Sequence, residues 1–464
     1  MDHVLCLLIY LMTGIARFSK FFAGMGIGTY EEWKPGRKLK ILLVGYNGAR
    51  NTGSDVRVAA IAQQIRELFG KDRVHITVMT LDAASLSGYF DEDVELLSFS
   101  TLFPLDLYRA CCSHHAAILS EGSTLKSTFA NALTLFMGEA AGIMSSQKKP
   151  CLGYGSEVGQ MELFLKRAVR RLCRDTYFIT RTENSYEALK QLGLEGRAGT
   201  DAAWSYEGAA PSEEIRCRLL AQGWDGQKPL LGIAVINPFC WPVRASLAKW
   251  IRGHLTGDLS GQYDHWYFFS DSPDRRAAYD RYLREIALGV NAFMEKNDCY
   301  PVLIGMERLD AKACQALRSQ LKTDSAIFLS GDHPASVMTG VLHELSALVT
   351  SRYHASVLSM ERACPIVAVS MDERLDSIMQ ELSFDKEFLF HVDDSNLGRK
   401  IDHALSAALS REAAIRKKIQ VYTEENKQKL ACMGLFMKYY LTAKLRAVPD
   451  VRGISEETCF DSCK

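Results

Sequence analysis

The sequence predicts an α/β protein of two Rossmann-like domains facing across a cleft, with a helical C-terminal tail. Three observations carry that prediction. Short apolar runs alternate with helical-period segments from Lys38 onward, and the same alternation starts afresh at Lys228 after a Gly- and Pro-bearing linker. The stretch from Leu397 to Ala447 is rich in helix formers and contains no Pro. A length of 464 residues leaves room for two or three domains. The expected boundaries are 1–37 for an apolar N-terminal segment, 38–210 and 211–396 for the two Rossmann-like domains, and 397–464 for the helical tail.

The first segment, VLCLLIYLMTGIA from Val4 to Ala16, is shorter than the ~20 residues a bilayer-spanning helix needs. Asp2 and His3 precede it where a secretory signal would carry Lys or Arg. Arg17, Lys20 and a second apolar patch, FFAGMGIG, follow. Two readings stay open: an interfacial helix making peripheral membrane contact, or a helix packed on the protein's own surface. Beyond Pro35-Gly36, KLKILLVGYNG is a strand entering a glycine turn, and VRVAAIAQQIRELFG repeats apolar residues at helical spacing. VHITVMTLD and HHAAILSEG read as the next strands, and KPCLGYGSEVG, TYFITRTENSYEALKQLG and GRAGTDAAW continue the alternation. In the second half KPLLGIAVINPF, HWYFFS, YPVLIGM, SAIFLSG, LSALVTSR and CPIVAVSM read as strands with helices between them. Ligands of such sheets lie beyond the carboxyl ends of the strands.

Composition removes several function classes. Lys+Arg and Asp+Glu both number 55, so there is no cationic excess to drive binding to nucleic acid. The 13 cysteines are unevenly spaced and form no Cys-x-x-Cys pair, which suits a reducing cytoplasm and buried thiols. Cys459 and Cys463, in the polar tail, receive no role. No cluster of His, Cys and carboxylates stands at ligand spacing, so no metal is expected.

GYNGARNTGSD, Gly45 to Asp55, lies between the first strand and first helix, where free N–H groups and the helix dipole favour an anion. It is neither Gly-x-Gly-x-x-Gly nor a Walker loop, so neither NAD nor ATP is indicated. The plain alternative is a structural turn capped by Ser54 or Asp55.

Together with RTENSYEALKQLG from Arg181 and SRYHASVLSMERACPIVAVS from Ser351, this turn resembles the polysaccharide pyruvyl transferase family. That family has a G-x-x-G-x-x-N-x-G-D-E-like turn, then R-x-E-x-S, then R-x-H-A, and the order and spacing match over about residues 38 to 395. The chain departs from the pattern at Ser54, where the family has Asp, and at SEGSTL, where it commonly has a G-G-G-S-L loop. The resemblance implies a glycosyltransferase-B-like (GT-B-like) fold and transfer of pyruvate, as a ketal, from phosphoenolpyruvate onto a sugar of a cell-surface glycan or its lipid-linked precursor. It implies no cofactor beyond phosphoenolpyruvate as co-substrate, a saccharide acceptor, and a cytoplasmic enzyme, at the inner face of the membrane if the N-terminal segment is interfacial.

Phosphoenolpyruvate carries a carboxylate and a phosphate, and planar guanidinium groups bind both in bidentate fashion. Arg352 and Arg181, each at the carboxyl end of a strand, are the expected donor-binding residues, with Arg374 in MDERLDSI as a third. Asn51, Gly53 and Asp55 of the turn, and Glu121 and Lys126 of SEGSTLK, complete the expected substrate-binding set. His354, two residues after Arg352, is the expected general acid/base, because imidazole exchanges protons near neutral pH. His333 in SGDHPAS is a weaker candidate at the phosphate, and Asp201 in GTDAAW is expected to be structural. Two other readings are a nucleotide-sugar glycosyltransferase of the same fold and a non-catalytic glycan-binding protein.

Overall fold

The computed structural model describes residues 1–464 except 87, 91–92, 101–102, 260, 265 and 446–464. Cys459, Cys463 and the end of the expected tail therefore lie outside the described residues. Seven parallel strands build the first sheet: β1 Leu39–Asn47, β2 Val74–Thr80, β3 Val94–Ser98, β4 Ala116–Leu119, β5 Cys151–Ser156, β6 Tyr177–Thr180 and β7 Gly196–Ala198. The second half contains β8 Leu230–Ala234, the short strands β9 Arg244–Ala245, β10 Gln262–Asp264 and β11 Tyr267–Phe268, then β12 Tyr300–Gly305, β13 Ala326–Leu329, β14 Ala347–Thr350, β15 Ile366–Ser370 and β16 Leu389–His391. The sheet orders are β3-β2-β1-β4-β5-β6-β7 and β13-β12-β8-β14-β15-β16. Each reverses direction beside its first strand, the doubly wound pattern that opens a crevice at the carboxyl ends.

Both faces of the first sheet are covered. Ile41 and Leu43 of β1 pack on one side with Val58, Ile61 and Ile65 of the helix Thr52–Phe69. Leu42 and Val44 pack on the other with Phe136, Ala140 and Ile143 of the helix Asn131–Ser146. A parallel strand buried on both faces reads as a continuous apolar run, which is why LKILLV was legible as a strand. The N-terminal helix Asp2–Ala16 joins the second of these cores through Cys6, Ile9 and Ala16, so one side of it is packed on the body.

Three sequence expectations change. HWYFFS supplies no strand of the large sheet; Tyr267–Phe268 pairs within the separate antiparallel sheet β10-β11-β9, in an excursion between β8 and the helix Pro273–Met294. β3 and β16 were not read from sequence, being edge strands of five and three residues with half-exposed patterns. The tail is helical but does not hang free. The helix Glu412–Leu445 begins against the second domain, where Arg416 donates to the carbonyls of Arg362 and Ala363, and ends on the first, where Tyr440 donates to the Cys151 carbonyl at 3.2 Å.

Candidate functional site

The carboxyl ends of β1 and β4 face those of β12 and β14 across a cleft of about 600 Å³. The glycine turn after β1 is stitched to the second domain: Thr52 N donates to the Met306 carbonyl at 2.8 Å, Arg308 N to the Arg50 carbonyl at 3.1 Å, and Ser330 Oγ to the Arg50 carbonyl at 2.6 Å. The Asn51 side chain caps the helix Thr52–Phe69 by accepting from Gly53 N and Ser54 N. The cap is therefore Asn51, and neither Ser54 nor Asp55 as the sequence suggested. Ser54 Oγ donates to the Tyr46 carbonyl, and Asp55 is buried beneath the turn. Two of the backbone donors that a phosphate would use here are thus occupied by a side chain of the protein.

His354 enters from the other side. β14 ends at Thr350, whose Oγ1 accepts from Arg352 N at 2.8 Å, and the following helix Tyr353–Met360 places His354 in its first turn. The imidazole lies against the turn of the first domain so closely that a Cβ on Gly53 would stand 2.0 Å from His354 Nδ1. Only glycine allows that approach. His354 Nε2 faces Asp201 Oδ2 at 3.5 Å. The same carboxylate oxygen takes Arg57 Nη1 at 2.5 Å and Arg181 Nη1 at 3.3 Å, while Asp201 Oδ1 accepts from Ala203 N. Asp201, read from sequence as structural, stands at the centre of the site, facing Arg57, Arg181 and His354.

The ion pairs continue outward from there. Arg181 pairs with Glu157 and stacks over the Tyr353 ring, 4.5 Å from its centroid. Glu157 Oε1 takes Lys126 Nζ at 2.8 Å, and Lys126 reaches Asp372 at 3.5 Å and Glu373 at 3.6 Å. Asp372 Oδ2 takes Arg374 Nη2 at 2.7 Å. A second group sits in the second domain, where Arg352 holds Glu307 at 2.8 Å and Asp310 at 2.7 Å.

These neighbours set the protonation states. Burial alone would raise the Asp201 carboxyl, but Arg57, His354 and Arg181 outweigh it and hold the group well below the usual carboxylate range. Burial lowers the His354 imidazole; Asp201 opposes, and Arg57 and Arg181 add to the lowering. The balance favours the neutral imidazole, the form that accepts a proton. Burial pulls the Lys126 ammonium down to about 8 and pushes the Asp55 carboxyl up to about 7.

Of the residues expected from sequence, His354, Arg352, Arg181, Arg374, Asn51, Gly53 and Glu121 all line the cleft. Lys126 and Asp55 lie below its surface, the first inside the ion-pair chain and the second under the turn. Glu121 uses its two oxygens to hold Tyr46 N and Ser123 N. His333 is not among the lining residues; its ring rests 5.3 Å from that of Phe328.

Sequence reasoning missed Arg57, Glu157, Asp372, Glu307 and Asp310. One signal was available, since Arg57 interrupts the apolar side of VRVAAIAQQI, where a cation is buried only with a partner. The aromatic end of the cleft was missed as well. Phe99, Phe103, Phe129, Phe136, Trp241 and Tyr263 line it, drawn from segments that no single motif joins. Among the described residues no group of three or more His, Cys, Asp or Glu is arranged to hold a metal ion.

No family model matches the chain, nor does any curated protein. Solved structures do. A putative UDP-N-acetylglucosamine 2-epimerase from Listeria monocytogenes matches with a TM-score of 0.55 at 9% identity, over 89% of this chain and 98% of that one. MnaA from S. aureus, in its UDP co-structure, gives 0.52 at 10% identity, over 87% and 97%. The UDP-GlcNAc 2-epimerase from Neisseria meningitidis, bound to UDP-GlcNAc, gives 0.51 at 9% identity, over 82% and 94%. The fold is GT-B-like. At these identities the likeness extends to the arrangement of the two sheets and the cleft and no further.

Proposed function

We propose that the chain is a sugar-modifying transferase that moves pyruvate from phosphoenolpyruvate, as a ketal, onto a saccharide. The observation that carries the reading is a histidine held between Gly53 and Asp201 in the cleft, beside a buried cluster of cations and carboxylates. Arg57, Arg181 and Lys126 are buried there with Asp201 and Glu157, and the partly buried pair Arg374–Asp372 adjoins them. Glu373 Oε1, 3.6 Å from Lys126 Nζ, is a fourth carboxylate in the chain, so cations and carboxylates alternate along the cleft wall.

The reaction follows from that placement. A saccharide hydroxyl gives its proton to His354, and the enol carbon C3 of phosphoenolpyruvate takes one and becomes a methyl group, so one imidazole serves both transfers. The hydroxyl oxygen bonds to C2. The C2–O bond to phosphate then breaks, a second hydroxyl of the sugar bonds to C2, and its proton leaves with the phosphate. Two hydroxyl protons are lost, one is gained by carbon and one by phosphate. Arg181 and Arg374 line the cleft while paired with Glu157, Asp201 and Asp372, and in this reading they share those contacts with the donor, while Asp201 stabilises the imidazolium that forms between the transfers.

A second reading, a nucleotide-sugar transferase, draws on two of the matched structures holding UDP or UDP-GlcNAc. One experiment separates them. Phosphoenolpyruvate should raise the unfolding temperature, and mixing it with a panel of saccharides should release inorganic phosphate. Protection by UDP without protection by phosphoenolpyruvate would favour the second reading.

A further inference from the structure

The N-terminal helix leaves one side bare. Cys6, Ile9, Met12 and Ala16 are buried, whereas Val4, Leu7 and Leu11 are 67%, 67% and 59% exposed. Phe18, Phe21 and Met25 continue that stripe at helical spacing, each more than half exposed, and Ile27 extends it. Exposed apolar side chains concentrated in one segment mark an interaction surface rather than ordinary scatter.

Alongside runs a basic helix. Leu163–Leu172 buries Leu165, Ala168, Val169 and Leu172 and turns Arg167, Arg170 and Arg171 outward, with Lys166 half-buried and Arg174 just beyond the end. The two helices touch: the His3 ring lies 4.3 Å from Phe164, and the Arg171 guanidinium stands 4.5 Å from the centre of the Tyr10 ring. Leu163, 66% exposed, carries the apolar surface across. Nearby acids are few and engaged. Asp2 accepts from Asn131, Asp175 pairs with Arg174, Glu32 with Lys20, and Glu162 faces Arg244 at 4.0 Å. Among the described residues Arg17, Arg167 and Arg171 have no carboxylate partner, so the rim of the stripe is cationic.

We infer that this face docks on an anionic lipid bilayer, the stripe entering the boundary between headgroups and acyl chains and the arginines of Leu163–Leu172 lying on the headgroups. Among the described residues no helix is long and apolar enough to cross a membrane, which fits a helix lying in the interface plane. The cationic rim favours an anionic surface over a second copy of the chain, which would bring the same cationic rim into the contact and no matching anionic patch. Docking also positions the cleft. The Asp2 carboxylate accepts from Asn131 at 2.9 Å, and Ala130, Ala132 and Leu133 line the aromatic end, so that end is held close to the bilayer.

Co-sedimentation of the full chain with vesicles tests this. Wild type should sediment with phosphatidylcholine vesicles containing about a third phosphatidylglycerol, and much less with phosphatidylcholine alone. At about 1 kcal/mol per cation at the surface, the pair Arg167→Ala/Arg171→Ala should weaken partitioning roughly 30-fold. Leu7→Ser/Leu11→Ser should abolish it with the unfolding temperature unchanged, since both side chains are exposed. Raising salt from about 50 to 500 mM should release wild type, an arm that needs no variant to fold. Equal binding to both vesicle types, or a dimer in the absence of lipid that Leu7→Ser breaks while no vesicle binds, would overturn the inference.

Discussion

Asp201→Asn tests the charge at the centre of the site. Asparagine keeps the shape of the side chain and the Oδ1 contact to Ala203 N, and it replaces the charged acceptor Oδ2, which faces Arg57, Arg181 and His354, by an NH2 donor. Breaking a buried ion pair by removing one partner costs about 3–5 kcal/mol. The lower end applies here, because Arg57 keeps the carbonyls of Ser120, Tyr154 and Gly155, and Arg181 keeps Glu157. At about 2–4 °C per kcal/mol for a domain of this size, the unfolding temperature should fall by roughly 6–12 °C. Circular dichroism during heating at pH 7.5 measures it. The pH dependence has a definite sign: a carboxyl held below its unfolded value stabilises fully above about pH 4, and the contribution is lost as pH falls toward the folded value. The gap between wild type and variant should therefore be flat above about pH 5 and close below pH 4. Arg57→Met added to Asp201→Asn should recover part of the loss, because the uncompensated cation goes with it. A shift under about 2 °C, or a gap that widens in acid, would refute the account of Asp201 as the counter-charge that holds Arg57 and Arg181.

Other expectations concern the two faces of the cleft. Gly53→Ala should destabilise by about 1–3 kcal/mol through the clash with His354 despite the better helix propensity, and the cost should vanish in a His354→Ala background; an additive double variant would argue against that contact. His354→Gln should fold, bind phosphoenolpyruvate within a few-fold and lose roughly 10²-fold or more in phosphate release; near wild-type turnover would make the imidazole structural. Asp55→Asn keeps an acceptor for Gly48 N while removing a carboxyl that burial pushes up to about 7. Its stability gain should grow as pH rises from about 4 to 7 and level off above, and a pH-independent difference would show that Asp55 titrates normally.

The sequence by itself determined the two-sheet architecture. Strands buried on both faces are written as unbroken apolar runs, and LKILLV, AAIL, LLGIA and IVAVS each became a central strand. The same logic failed at Val94–Ser98 and Leu389–His391, whose edge positions relax the demand for apolar residues, while HWYFFS does hold a strand, Tyr267–Phe268, but in the small antiparallel sheet beside the cleft. At the site, the chain positions after strand ends were legible, and they placed Arg181, Arg352 and His354 in one cleft. Partners were not. Whether an arginine is free to grip a ligand or is already held depends on carboxylates far away in the chain, Glu307 and Asp310 for Arg352, Asp201 and Glu157 for Arg181, and only the closing of two domains brings them within a few ångströms. The N-terminal helix divides in the same way. Its apolar content was plain in the sequence, but one stripe packs on the body and another faces outward, and which residues fall on which side was decided by the helices it packs against.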